Sequence, residues 1–197
     1  MRCQFEFFGL KMPAWTALAK ELFTKLGLPQ GEDLKEVVRS CMADDHREMH
    51  YFALELTQRS LKKQEAGFID LVSELITSRS WWDTVDWLAK LAGIHFKRFP
   101  ELLRPVTRQW MDSGNIWLQR SAILCQRFYK KDTDVSLLFG YILELADSKE
   151  FFIPQGAGGA LREYSKVNPS AVAEFIDTNE LPPLTRREGM TWIHKHQ

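Results

Sequence analysis

Two side chains with complementary chemistry, Trp82 and Asp86, lie four residues apart in the segment 80–86, which reads SWWDTVD. In an α-helix, residues four apart lie on the same face, so the indole and the carboxylate would point the same way. A flat π surface beside a carboxylate is suited to holding a planar cation. The structural alternative is that the tryptophans fill the core and that Asp83 or Asp86 caps or solvates the helix.

A second charged group, Arg120, interrupts an otherwise apolar segment in which residues 115–124 read NIWLQRSAIL. An arginine in such a helix pairs with a neighbouring carboxylate, here Asp86, or presents its guanidinium to a phosphate. Further basic residues follow in the C-terminal half: Arg127, Lys130, Lys131, Arg162, Lys166, Arg186 and Arg187. These residues predict either a phosphate-binding strip or ordinary solvated helix faces.

Signals for the start and end of helices recur along the whole chain. Pro13 and Gly27 flank an apolar pattern of helical period, with proline in the first turn and glycine after the last. Ser80 is the expected N-cap of the Trp-rich helix, and Thr133 that of the helix from Val135 onward. No stretch alternates with a period of two for long enough to predict a strand. The sequence therefore predicts an all-α fold.

The spacing of these helices predicts an architecture of stacked antiparallel helical pairs. Such pairs cannot bury their apolar faces alone and must stack, which gives a curved solenoid with a concave face. An irregular globular helical bundle is the alternative, because no strict repeat period can be aligned. The length of 197 residues fits one domain, which we expect to span residues 1–197.

Composition excludes several functional classes. The formal net charge is zero, so any affinity for nucleic acid must come from a local patch. Cys3, Cys41 and Cys125 are far apart and predict neither a disulfide framework nor a zinc site. His46 and His50 are four apart but lack a third ligand nearby, so no metal and no cofactor are expected.

Targeting signals are also absent from the sequence patterns. The first eight residues are too short for a signal peptide, and no apolar run approaches the roughly 20 residues that a membrane span requires. We therefore expect a cytoplasmic protein that does not bind membranes.

Three separate segments resemble the HEAT-like DNA alkylation repair glycosylases of the AlkD family. The matching segments are residues 80–86, which read SWWDTVD, residues 117–124, which read WLQRSAIL, and the stretch from EFFI at 150–153 to LREYSK at 161–166. A weaker match continues through 168–169, 179–181 and 186–188. Several spaced motifs in the family's order are more specific than any one of them.

The resemblance implies a C-shaped array of HEAT-like helical pairs that binds duplex DNA containing alkylated bases. Such enzymes hydrolyse the N-glycosidic bond of cationic N3- and N7-alkylpurines. By position, Trp82 would contact the sugar or the lesion, and Asp86 would stabilise the oxocarbenium-like sugar and orient water. Arg120 would hold Asp86 or a phosphate, and Lys130, Arg162 and Lys166 would join it in binding DNA.

Two departures from the family pattern affect this expectation. The third segment usually carries an aromatic residue just before the Leu-Arg-Glu-Tyr run, and here that position falls on Gly159. Family members also carry about two further helices before the Phe-x-Gly segment, whereas this chain begins almost at 5–10, which reads FEFFGL. The resemblance therefore implies an N-terminally shortened member that lacks one aromatic wall and part of the DNA clamp.

Three functions remain open at this level. The chain is a glycosylase with weak or normal activity, a family member that binds DNA without efficient base excision, or a helical-repeat adaptor for a protein partner. The combination of Trp82, Asp86 and Arg120 favours the first function. Gly159, the short N-terminal part and the zero net charge favour the other two.

Overall fold

Residues 4–196 are described by a computed structural model of the chain, and they divide into two compact units, with the boundary in the chain between Ser80 and Trp81. All the regular structure in this range is helical, apart from an isolated bridge between Glu6 and His46. The prediction of an all-α fold is confirmed. That residues 1–197 form one domain stays a prediction.

The described part of the first unit, residues 4–80, contains four α-helices. They are α1 (Met12–Leu26), α2 (Gly31–Ala43), α3 (Arg47–Ser60) and α4 (Phe68–Thr77), and a short 3₁₀ turn, Leu61–Lys63, follows α3. The predicted boundaries of α1 are confirmed: Pro13 lies in its first turn, and Gly27 caps its last turn with φ +76°. Glycine is favoured there because L side chains rarely adopt a positive φ.

The second unit contains the remaining described helices. They are α5 (Trp82–Arg98), α6 (Leu103–Asp112), α7 (Ile116–Leu124), α8 (Val135–Glu144), α9 (Phe152–Ser165), α10 (Pro169–Thr178), α11 (Pro183–Met190) and α12 (Ile193–His196). Helix α7 packs against α5, α6 and α9, and α9 packs on α11. This arrangement brings side chains from α5, α7 and α9 together.

Two predicted N-caps are wrong. Helix α5 begins after Trp81, and the Ser80 hydroxyl instead donates to the Ile76 carbonyl at the end of α4. Helix α8 is capped by Asp134, whose carboxylate accepts from the Leu137 amide, while the Thr133 hydroxyl bonds the Lys130 carbonyl. In both cases a serine or threonine satisfies the end of the preceding segment, a local alternative that the sequence does not distinguish from capping.

Pro105 lies in the first turn of its helix and does not interrupt it. A 3₁₀ turn, Pro100–Leu102, comes first, and α6 then starts at Leu103, so Pro105 falls in the first turn of α6. A proline in the first turn leaves no intrahelical hydrogen bond unmade, and α6 therefore tolerates it.

Candidate active site

The centre of the candidate site is an ion pair between Asp86 of α5 and Arg120 of α7. Arg120 donates from Nε to Asp86 Oδ1 at 2.7 Å and from Nη2 to Oδ2 at 3.0 Å. This is the two-pronged geometry in which a guanidinium holds a carboxylate most firmly. The structure thus places Arg120 on Asp86, one of the two partners left open by the sequence.

The two members of the pair differ in their exposure to solvent. Arg120 is 1% exposed, whereas the Asp86 side chain is 22% exposed. A carboxylate that is fixed from behind by a buried cation and open in front can interact with a positive charge outside the protein. The arrangement therefore supplies an oriented negative group at a surface.

Helix α9 completes the environment of Arg120. The guanidinium donates from Nη1 to the Phe152 carbonyl at 2.5 Å, and a Cβ atom built on Gly156 would lie 2.8 Å from the same nitrogen. Any other residue at position 156 would displace the guanidinium, so Gly156 makes room for it. The sequence does not reveal this role, because Gly156 is one of three glycines in residues 156–159 and its partner lies on another helix.

The two adjacent tryptophans have different environments. Trp81 packs against Trp117 and Phe152, with ring centroids 6.1 Å and 5.2 Å apart. Trp82 is 47% exposed and lies one helical turn before Asp86 on α5. The structural interpretation therefore holds for Trp81, and Trp82 is the residue that offers a π surface beside the carboxylate.

A second arginine, Arg127, faces Asp86 from the turn that follows α7. Its Nη1 lies 3.8 Å from Asp86 Oδ2, and its buried Nε has no hydrogen-bond partner among the described residues. From the sequence, Arg127 was only one of several basic residues in the C-terminal half. Arg127 lies in the turn beyond the end of α7 at Leu124, so no helical spacing in the sequence predicts its contact with Asp86.

Gly159, the position of the missing aromatic residue, has free space around it. No heavy atom lies within 4 Å of a Cβ atom built there. At Gly158, by contrast, the added atom would lie 2.5 Å from Glu188 Cβ and 3.1 Å from the Thr185 carbonyl of α11. Helix α9 remains continuous through these glycines, and only Gly156 and Gly158 are required there by packing.

The three other basic residues assigned to DNA binding lie in different surroundings. Arg162 is paired with Glu188 at 2.8 Å, and Lys166 with Glu163 at 2.8 Å. Lys130 is exposed and has a positive φ of 57°. Exposed or half-exposed ion pairs of this kind are weak, so a phosphate can replace the carboxylate partner. The role of these residues in DNA binding stays a prediction.

His46 and His50, the two histidines that are four residues apart, make contacts other than with a metal. His46 Nδ1 bonds the Asp44 carboxylate at 2.9 Å, and His50 Nε2 donates to the Asp44 carbonyl at 2.8 Å. Among residues 4–196, no three histidine, cysteine or acidic side chains group as metal ligands, and no helix is long and apolar enough to cross a membrane.

Two of the three cysteines are free thiols in the part of the chain that the structure describes. Cys41 and Cys125 are buried and unlinked, and burial raises the pKa of Cys125 to about 12. A thiol of this kind stays protonated and unreactive. Cys3 lies outside the described residues.

Comparison with solved structures identifies the fold. A predicted DNA alkylation repair enzyme from Enterococcus faecalis superimposes with a TM-score of 0.92 at 28% identity, over 98% of this chain and 91% of that one. AlkD2 from Streptococcus mutans matches with a TM-score of 0.70 at 18% identity, over 97% of this chain and 95% of that one. The similarity to AlkD2 concerns the fold alone, a helical-repeat architecture.

A match to one sequence family covers nearly the whole chain. No curated protein matches it. The family model described as DNA alkylation repair enzyme matches residues 1–193, the range that contains every residue of the candidate site. The chain belongs to the DNA alkylation repair enzyme family.

Proposed function

We propose that the protein hydrolyses the N-glycosidic bond of cationic N3- and N7-alkylpurines in duplex DNA, with Asp86 as the central catalytic residue. The observation that carries this proposal is the half-open carboxylate of Asp86, fixed by the buried guanidinium of Arg120. An adaptor has no need of an oriented carboxylate at its surface. A reaction that develops positive charge does.

The reaction requires little from the protein beyond a negatively charged group held close to the sugar. In an alkylpurine the ring already carries a positive charge, so the bond from C1′ to nitrogen breaks with its electron pair moving to the purine. The sugar becomes oxocarbenium-like, and water adds to C1′ and loses a proton. Asp86 stabilises the positive sugar electrostatically and accepts a hydrogen bond from the attacking water.

Trp82 supplies the second interaction in this proposal. Its indole is 47% exposed and lies on the same helix face as Asp86, so it can contact the cationic nucleoside. A second aromatic wall would be expected from the residue at position 159, which is glycine. Its absence removes about 1–2 kcal/mol of cation–π stabilisation, and we therefore propose excision roughly tenfold slower than with both walls present.

Binding of the duplex depends on a local patch because the net charge is zero. Lys130, Arg162 and Lys166 are the residues we propose for phosphate contacts, together with the guanidinium of Arg127. Each neutralised phosphate releases counterions, so binding should weaken steeply with salt.

A second candidate function is DNA binding without efficient excision. Two observations favour it: Asp86 faces two guanidinium groups rather than one, and the space beside Gly159 holds no aromatic side chain. Two nearby positive charges reduce the net negative potential that Asp86 can offer to a cationic sugar.

Release of 7-methylguanine and 3-methyladenine from methylated duplex DNA tests the first function. We expect release by the wild-type protein, and loss of at least a hundredfold in Asp86→Asn, which keeps the shape of the side chain and removes its charge. Asp147→Asn, which changes an exposed carboxylate of the same unit, is the matched control and should leave the rate unchanged. Duplex binding without release would select the second function, and neither binding nor release would reject both.

The substitution Gly159→Trp tests the account of the missing wall. A Cβ atom built at position 159 meets no neighbouring atom, and we expect the added indole to raise the excision rate about tenfold. An unchanged rate together with unchanged duplex affinity would show that position 159 does not border the bound lesion.

A further inference from the structure

A cavity of about 330 Å³ adjoins the candidate active site in the second unit. It lies between the turn that follows α7 and the second half of α9. Arg127 connects the two places, because its side chain lines the cavity and its Nη1 lies 3.8 Å from Asp86 Oδ2. The volume falls at the lower end of the range of about 300–1,000 Å³ for small-molecule sites, which is sufficient for one purine base.

One face of α9 leads from the Arg120 contact to this cavity. Gly156, where α9 approaches Arg120, lies four residues before Ala160, which lines the cavity. Tyr164 lines it one turn further along, and at 1.5 Å per residue Gly156 and Tyr164 are about 12 Å apart on the same face. The cavity is therefore within reach of the base of a nucleotide whose sugar lies at Asp86.

Two aromatic rings line the cavity, one from each of the elements that enclose it. Phe128 lies in the turn after α7 and is 54% exposed. Tyr164 is half-buried on α9, where its ring packs edge-on against Phe139 at 6.2 Å between centroids. Aromatic side chains are the surfaces on which nucleobases stack, because every base has a π face. The cavity thus offers flat apolar surfaces for a base.

The turn that carries Phe128 is anchored by the buried side chain of Gln126. Its Oε1 accepts from the Asp134 amide at 2.7 Å, and its Nε2 donates to the Asp134 carbonyl at 3.3 Å. Gln126 is 3% exposed, so these hydrogen bonds are shielded from water. They tie the start of the turn to the start of α8, and Phe128 is therefore carried by a fixed segment.

Glu163 supplies the cavity with a carboxylate. Its two oxygens lie 2.8 Å and 2.9 Å from Lys166 Nζ. An ionised carboxylate has about four acceptor positions, so this ion pair leaves some of them for a ligand. Guanine presents two adjacent donors on one edge, N1–H and the exocyclic amino group, whereas adenine presents only its amino group beside an acceptor. A carboxylate in the cavity therefore favours guanine over adenine.

The charges around the cavity fit the course of the reaction. Arg127, Lys130 and Lys166 line it, and Glu163 is the only acidic residue in the lining within the described part of the chain. When the glycosidic bond breaks, positive charge moves from the purine to the sugar. Cations near the purine and the Asp86 carboxylate near the sugar both favour this movement, so their effect is larger in the transition state than in the ground state.

We propose that this cavity receives the purine of the reacting nucleotide, with Phe128 and Tyr164 as stacking surfaces and Glu163 as the acceptor that selects guanine. The inference rests on the proposed function and deepens it, because it names N7-alkylguanine as the preferred substrate. The bond from C1′ to N9 breaks with its electron pair moving to the purine, which leaves as a neutral base. Water adds its oxygen to C1′ and releases a proton to solvent.

Equilibrium dialysis of the full-length protein with free bases tests the cavity without DNA or catalysis. At pH 8, where 7-methylguanine and 3-methyladenine are both neutral, we expect saturable binding of 7-methylguanine and weaker binding of 3-methyladenine. Phe128→Ala should weaken binding of both bases roughly tenfold through loss of stacking. Glu163→Gln should weaken binding of 7-methylguanine several-fold and leave that of 3-methyladenine unchanged.

Two matched variants of the second unit control for unspecific effects. Leu143→Ala removes an exposed apolar side chain of α8, and Glu174→Gln an exposed carboxylate of α10, and neither residue lines the cavity. Both variants should bind the bases as the wild type does, and circular dichroism verifies that all four variants are folded. Absence of saturable 7-methylguanine binding, or equal losses in Phe128→Ala and Leu143→Ala, would overturn the proposal. Equal losses for the two bases in Glu163→Gln would overturn the selection of guanine.

Base release from methylated duplex DNA separates the cavity from the proposed catalysis. Glu163→Gln should lower the ratio of released 7-methylguanine to 3-methyladenine several-fold, and Phe128→Ala should slow the release of both. Release at the wild-type rate and ratio in both variants would reject the cavity and leave the proposed function standing. Binding of 7-methylguanine that depends on Phe128 and Glu163, without release from DNA by the wild type, would reject the catalysis and leave the cavity as a site for guanine bases.

Discussion

Two fully buried arginines, one in each unit, lie in contrasting environments. Arg47 of α3 is 0% exposed and Arg120 of α7 is 1% exposed. Burial of a guanidinium is costly and requires that its charge and its donors be satisfied. Both sites meet this requirement, but they use different kinds of partner.

Arg47 is enclosed by groups of the protein interior. Its Nη1 donates to the Arg79 carbonyl and to His50 Nδ1, each at 2.9 Å, and its guanidinium lies 3.9 Å above the ring of Phe5. These contacts join α3 to the segments before α1 and after α4. The role of Arg47 is therefore to hold the first unit together.

Arg120 contacts a carboxylate that remains partly open to solvent. Its contacts with the protein also fix one helix to another, but Asp86 keeps one side accessible. A buried arginine alone therefore does not indicate function. The exposure of the charged group that the arginine holds is the feature that separates a candidate site from a structural contact.

Removal of either guanidinium should give the largest effects on stability. We expect Arg120→Gln to lower the free energy of unfolding by about 3 kcal/mol, because Asp86 loses the two-pronged partner that compensates its desolvation. Urea denaturation followed by far-ultraviolet circular dichroism measures this loss. Arg47→Gln should be destabilising to a similar extent, about 3 kcal/mol, because carbonyl and imidazole acceptors are left unpaired.

A double-mutant cycle and an excision assay separate the two arginines. Combining Arg120→Gln with Asp86→Asn should cost less than the sum of the single changes, since the charge that needed compensation is gone. Excision per folded molecule should fall in Arg120→Gln and stay at the wild-type level in Arg47→Gln. Additive changes in the free energy of unfolding in the cycle, or equal losses of excision in Arg120→Gln and Arg47→Gln, would contradict the distinction between the two sites.

Substitution of a glycine in α9 should have a smaller effect on stability, exerted through Arg120. Gly156→Ala should lower the free energy of unfolding by about 2 kcal/mol, because the new methyl group would lie 2.8 Å from Arg120 Nη1 and would force the guanidinium away from Asp86. The same shift should reduce excision. Thermal or urea unfolding and the base-release assay give the two measurements.

Gly159→Ala is the matched control for this substitution. It lies in the same helix, and its new methyl group meets no atom within 4 Å. Alanine is favoured over glycine in a helix interior, so this change should raise the free energy of unfolding by about 0.5–1 kcal/mol. If Gly156→Ala is as stabilising as Gly159→Ala, then Gly156 is not the residue that makes room for Arg120.

Much of this site could be inferred from the sequence, and the limits have identifiable physical causes. Helical spacing alone aligns Trp82 with Asp86, and Arg120 stands out as a charged residue in an otherwise apolar segment. Gly156 and Arg127 escaped because their partners lie on other helices, and a contact between elements leaves no local pattern. The caps at Ser80 and Thr133 failed for the opposite reason, because one hydroxyl had two local partners to choose from.

The last effect concerns pH and tests whether His50, a partner of Arg47, is neutral in the folded protein. Burial lowers the pKa of His50, and the charges of Arg47 and Arg79 lower it further, against the opposing hydrogen bond to the Asp44 carbonyl. The imidazole accepts from Arg47 at Nδ1 and donates from Nε2, which requires the neutral ring. The unfolded chain, with a histidine pKa of about 6.5, binds a proton at a higher pH than the folded chain does.

The sign of the pH dependence follows from this difference. Above about pH 6.5 both states are neutral at His50, and as the pH falls below that value the unfolded state gains a proton that the folded state does not. The free energy of unfolding should therefore fall by about 1 kcal/mol between pH 7.5 and pH 5.5. His50→Gln keeps one acceptor and one donor and does not titrate. The stability advantage of the wild type over this variant should therefore shrink as the pH falls from 7.5 to 5.5. A difference that is independent of pH would mean that His50 takes up its proton at the same pH in the folded as in the unfolded chain, and that burial beside Arg47 does not keep the ring neutral.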